Sequence, residues 1–141
     1  MARSLRLPLK TPMFLMARVE GPAGIKRELT TVLDPNFAYS VIFSRDAIDL
    51  GYPEAAMRPR ELEKSHPERV PYILEFRGIE RSVLVRLAKV SIGPVVARDV
   101  EALVIELDLA RPLPVDLILG RTFLKDFRLT VDGKKGYLSL A

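Results

Sequence analysis

Apolar residues in this chain fall in short runs, many alternating with polar neighbours, separated by Gly, Pro, Asn and Asp. That rhythm predicts strands rather than helices. Residues 13–19 form an apolar run that reads as a strand, closed by the turn residues Gly21, Pro22 and Gly24. Residues 26–33 read as a second strand, which Pro35 and Asn36 break, and extended character resumes over 38–43. Four further runs follow at 72–76, 82–92, 95–109 and 115–119, the third with a break near Arg98-Asp99. Leu103, Ile105, Leu107 and Leu109 alternate with mostly polar neighbours, as in a half-buried strand. Val83, Val85 and Leu87 alternate as well, and the phase then moves to Val90 and Ile92, the mark of a bulge. Arg77-Gly78-Ile79-Glu80 predicts the turn of a hairpin. Phe127, Leu129 and Val131 predict another strand, and Asp132-Gly133 starts a turn into an extended segment over 137–140.

Helical signals are few. In Ser-Arg-Asp-Ala-Ile-Asp-Leu-Gly-Tyr (44–52), Ser44 is placed to cap a helix through its hydroxyl. Asp46 lies near the positive end of the helix dipole, and Gly51 ends the element in a left-handed conformation. Residues 53–69 are polar and punctuated by prolines, with room for one short helix starting at Pro59 or for a loop, and residues 122–127 make a helical turn. The sum is a mostly β domain of about eight short strands with one or two short helices, the spacing of a small closed or partly closed barrel. It occupies residues 13–141, with 1–12 as an N-terminal extension.

Composition narrows the function classes. At 141 residues the chain makes about one domain, and 48% hydrophobic residues provide for a core. The net charge of +4 is a modest excess of scattered basic residues, densest at Arg58, Arg60, Lys64 and Arg69, with no interleaved aromatics. Nucleic-acid binding is therefore not expected. There is no cysteine, which excludes disulfides, thiolate metal sites and cysteine nucleophiles and suits a cytoplasmic protein. The one histidine, His66, stands among charges beside a proline and reads as an exposed loop residue. No cluster has metal-ligand spacing, so neither a metal nor a cofactor is expected. The apolar stretch within the first 21 residues is too short for a signal peptide core and ends at Arg18, and no run is long enough to span a membrane.

Two segments carry a resemblance. One is Val32-Leu33-Asp34, followed by Val41-Ile42 and the 44–52 segment; the other is residues 115–140, containing Ile118-Leu119-Gly120 and Phe123-Leu124. Together they resemble the retropepsin-like aspartic proteases. In that family an apolar strand delivers Asp-Thr-Gly-Ala-Ser, and a late apolar-apolar-Gly strand crosses behind that loop. The resemblance implies a small closed β-barrel of acid-protease type with Asp34 as the catalytic carboxylate. It also implies a homodimer, because the chemistry needs two carboxylates about 3 Å apart sharing one proton, and an extended peptide as substrate or ligand. Gly78 and Ile79 would form the tip of a flap over that peptide, or a hairpin turn and nothing more.

The loop departs from the family's pattern. Pro35 replaces the threonine and has neither hydroxyl nor backbone donor. Asn36 replaces the glycine and is the best non-glycine substitute where a positive φ is needed. Phe37-Ala38 replaces the small Ala-Ser pair, bringing a ring next to the carboxylate. By itself Asp34-Pro35-Asn36 also makes a good type I turn, with Asp34 bonding back to the backbone. The residues thus support either an aspartic-type endopeptidase or a non-catalytic dimer of the same fold.

Overall fold

The computed structural model describes residues 4–9, 14–57, 73–77, 82–105 and 115–141. Ten strands are described: β1 (Leu5–Pro8), β2 (Leu15–Glu20), β3 (Lys26–Leu33), β4 (Ser40–Phe43), β5 (Ile73–Arg77), β6 (Ser82–Ile92), β7 (Val95–Ile105), β8 (Leu117–Leu119), β9 (Leu129–Asp132) and β10 (Tyr137–Leu140). Two short helices, α1 (Ser44–Asp49) and α2 (Arg121–Leu124), and a 3₁₀ turn at Glu54–Met57 complete them.

Six strands close a barrel in the order β2-β3-β8-β4-β7-β6, because β6 pairs back onto β2; β5 extends the sheet beyond β6. Closure removes free edges from the barrel wall. Most neighbours are antiparallel, but β8 runs parallel to β3 and β4 runs parallel to β7. The strand pattern thus gives the mostly β barrel that the sequence predicts.

Pairing register explains what the barrel buries. Val83 sits opposite Val104, Val104 opposite Ile42, Ile42 opposite Leu117, and Leu117 opposite Thr31. All five are fully buried, so one row of the wall points wholly into the core. Thr31 is tolerated there because its hydroxyl donates to the Leu29 carbonyl at 2.8 Å. Phe123 of α2, also fully buried, belongs to the same core and stacks at a tilt on Phe127, centroids 5.2 Å apart. Tyr52, after α1, donates to the Arg86 carbonyl and ties the helical segment to β6; burial pushes its hydroxyl pKa up.

Several expectations are corrected. β7 runs unbroken through Arg98-Asp99, with Asp99 taking a left-handed φ of 52°. The phase change in β6 is not a bulge, since β6 and β7 keep one register from end to end. Both strands switch their buried set at the same level, Leu87 to Val90 on one and Val100 to Ala97 on the other. Over its first half β6 pairs β5, and over its second half it pairs β2. The hairpin turns as it passes between those neighbours, and an Asp in the left-handed region accommodates the turn. At the end of β7 Ala102 and Val104 are fully buried, whereas Leu103 and Ile105 are half-buried. A narrow barrel interior takes the smaller side chains.

Ser44 does not cap α1. Phe43 occupies the capping position and no side chain bonds the first turn. The strand runs directly into the helix, which turns Ser44 inward, and its hydroxyl is buried with no hydrogen-bond partner among the described residues. Gly51 does take a positive φ, 99°. β4 begins at Ser40, two residues later than the extended run predicts.

Within the stretch set apart as an N-terminal extension, β1 pairs with β10, and β10 with β9, in a separate three-stranded antiparallel sheet. Leu5 and Leu7 pack against the core from there. The helix predicted at Pro59, His66, Gly78, Ile79, Leu107 and Leu109 lie outside the described residues.

Candidate active-site loop

Asp34 stands at the point where β3 leaves the barrel. Its N–H donates to the Leu119 carbonyl at 2.9 Å, which carries the parallel β3–β8 ladder one residue beyond the strand. The chain then turns at once. The Phe37 N–H donates to the Asp34 carbonyl at 3.2 Å, and the Asn36 N–H donates to Asp34 Oδ1 at 2.9 Å. One carboxylate oxygen of Asp34 is therefore held by its own turn. Among the described non-glycine residues only Asp99 has a positive φ, so Asn36 is not using the tolerance expected of it. Asp34 is half-buried, while Pro35, Asn36, Phe37 and Ala38 are exposed, the Phe37 residue to 41%.

The base of the loop is packed on β8 and α2. Gly120 ends β8 where two backbones cross: a Cβ there would lie 2.5 Å from the Tyr39 carbonyl oxygen and 2.6 Å from that of Phe37. Only a residue without a side chain allows this approach. It lets the Arg121 N–H donate to the Phe37 carbonyl at 2.9 Å, closing the loop onto α2. Ile118, half-buried, lies opposite Val32 and Val41, and Leu119 is fully buried, so the crossing strand fixes the loop from behind.

A hydrogen-bonded clasp lies beneath the loop, and sequence reading missed it. The Gly120 N–H donates to Ser40 Oγ at 3.1 Å. Ser40 N–H donates to Thr122 Oγ1 at 2.9 Å, and the two hydroxyls lie 2.9 Å apart. Thr122 Oγ1 is 2.6 Å from the Glu101 carbonyl, to which it donates. Since the single Thr122 proton goes to Glu101, Ser40 must donate to Thr122. The chain of bonds thus runs Gly120, Ser40, Thr122, Glu101 and joins the loop's exit, β8, α2 and β7. Its only sequence signal is two small hydroxyl residues, one after the loop and one after Gly120.

Asp116 is engaged elsewhere. Its Oδ2 accepts the Thr30 N–H at 3.1 Å and its own N–H donates to the Thr30 carbonyl at 2.8 Å, a structural pairing of β8 with β3. Among the described residues no group of three or more His, Cys, Asp or Glu could hold a metal ion. No helix among them is long and apolar enough to cross a membrane.

No protein-family model matches the chain, and no curated protein matches it. Its architecture does have solved counterparts. A retropepsin-like aspartic protease from Rickettsia conorii superposes with a TM-score of 0.58 over 98% of this chain and 90% of that one, at 16% identity. The fold is retropepsin-like. The retroviral protease-like domain of Ddi1 from Leishmania major agrees, with a TM-score of 0.52 over 90% of this chain and 86% of that domain, at 18% identity. At such identities the likeness is one of architecture. In the retropepsin-like barrel of this chain, Asp34 and Gly120 meet where β3 and the crossing strand β8 end side by side.

Proposed function

We propose that this retropepsin-like chain works as a homodimer with Asp34 of each protomer at the dimer axis, and that it binds an extended peptide or partner segment without cleaving it. The observation that carries the reading is the contrast within the loop. Its base is closed by Gly120 and Arg121, yet its tip presents Pro35, Asn36 and Phe37. Aspartic-protease chemistry needs two carboxylates held as a pair, one ionised and one protonated, to activate water and protonate the leaving group. These 141 residues hold one such loop, and in this reading the second comes from another copy. Pro35 has no hydroxyl with which to lock one loop to the other, and Phe37 adds a ring beside the carboxylate. Changes to several members of one preorganised network remove activity non-additively.

The Asn36 bond favours a second reading, an active endopeptidase. By holding Asp34 Oδ1, it orients the carboxylate and leaves the other oxygen for water. A broad fluorogenic peptide library assayed between about pH 3 and 7, the range over which carboxylate dyads titrate, separates the two. The non-catalytic reading expects no turnover above that of Asp34→Asn from a dimer confirmed by light scattering. Turnover by the wild type that Asp34→Asn abolishes would establish the peptidase instead. A monomer would undercut both.

A further inference from the structure

The three-stranded sheet has two outer edges. β1 ends at Pro8, which has no N–H to offer a further strand. β9 contains no proline, and its Val131 is 59% exposed. Which backbone groups line that edge follows from the pairing with β10. Arg128 and Ala141 exchange both hydrogen bonds, at 2.7 and 3.0 Å. Such pairs alternate along an antiparallel ladder. With Leu129 opposite Leu140 and Thr130 opposite Ser139, the N–H and C=O of Arg128, Thr130 and Asp132 turn toward β10. Those of Leu129 and Val131 turn outward.

We propose that this edge pairs with the same edge of a second copy, antiparallel about a two-fold axis passing between Thr130 and the partner's Thr130. Only outward-facing groups can join, so Leu129 exchanges both hydrogen bonds with the partner's Val131, and Val131 with the partner's Leu129. That register also satisfies the side chains. Arg128-Leu129-Thr130-Val131-Asp132 is complementary to itself read backwards: Arg128 meets the partner's Asp132, apolar residues meet, and threonine meets threonine. Sliding the strands by two residues in either direction breaks both Arg–Asp pairs.

The apolar face of the small sheet becomes continuous in the same register. Leu7, Leu138 and Val131 lie in one row across β1, β10 and β9. The partner's Leu129, Leu140 and Leu5 extend it, covering the valine that one chain leaves in water. This inference rests on the homodimer reading and assigns its interface. A closed two-fold dimer has one axis, so both Thr130 residues and both Asp34 residues would face each other across the same line.

Sedimentation equilibrium on the full chain tests it. Arg128→Asp sets aspartates opposite each other at both ends of the pairing and is expected to weaken the dimer about tenfold or more. Asp132→Arg should do the same with arginines, and the double variant R128D/D132R should return to wild-type affinity. Thr130→Cys, in a chain with no other cysteine, should give a disulfide-linked dimer on oxidation, because directly opposed Cβ atoms lie close enough to bridge. Thr130 is exposed, so this variant decides the matter even if a charge reversal fails to fold by circular dichroism. Wild-type dimers indifferent to both reversals, with no cross-link through Thr130→Cys, would overturn this interface and leave the homodimer reading standing. A wild-type monomer would remove both.

Discussion

The base and the tip of the Asp34 loop follow different rules. At the base Ser40, Thr122 and the Gly120 and Arg121 N–H groups are joined by hydrogen bonds, and two backbones touch through Gly120. At the tip, from Pro35 to Ala38, the side chains stand in solvent and no side-chain hydrogen bond of theirs is present among the described contacts. The difference shows what burial constrains. A buried hydrogen-bonded junction fails when one member changes, because the remaining polar groups are left without water or partner. An exposed turn needs only residues that suit its dihedrals, and Asp-Pro-Asn does. The base of such a loop thus constrains its residues more tightly than the tip does.

The sharpest way to break the base is Gly120→Ala. Its new methyl would sit 2.5 and 2.6 Å from two carbonyl oxygens, so the loop and β8 must separate and the Arg121 to Phe37 bond goes with them. A loss of about 3 kcal/mol or more is expected, at the upper end for overpacking, read from the denaturant midpoint. Next comes Thr122→Val, which keeps the shape but removes the acceptor for the Ser40 N–H and the donor to the Glu101 carbonyl. About 2–3 kcal/mol should be lost, whereas Thr122→Ser should cost well under half of that. At the tip, Phe37→Ala should change stability by less than about 1 kcal/mol, as for other exposed positions without a special role. A large loss there would show the ring to be part of the junction and would erase the contrast.

Local features and the barrel class of the fold were legible, and most of the particular long-range contacts were not. Gly120 stood out because an apolar strand ending in glycine marks a close backbone approach, and Asp34-Pro35-Asn36 carries its own turn signal. Ser40 and Thr122 carried none: their use depends on β4, α2 and β7 meeting, and that juxtaposition spans 82 residues between the two hydroxyls. Ser44 misled because its cap signal assumes a loop before the helix, and here a strand runs straight in. In β7 the larger residues of the alternation suggested the core face, yet the barrel's interior takes Ala102 and Val104. Both faces of the wall are apolar there, Val41 and Leu84 being buried on the other side, so periodicity could not say which side was inner. The parallel pairings of β3 with β8 and of β4 with β7 left no trace in either pattern.

The position of β8 also governs the order in which the molecule can form. This strand of three residues sits between β3 and β4, so neither has its full set of neighbours until residues 117–119 have been made. β1 likewise waits for β10. During synthesis the barrel wall cannot close between β3 and β4 until those residues have emerged. Folding that depends on such distant contacts is slow compared with hairpin formation, and β6 with β7 is the long local hairpin available to start it. The closing strand is therefore also a clock: a chain stopped short of Leu117 would carry β3 and β4 as unpaired edges, open to strands of other molecules.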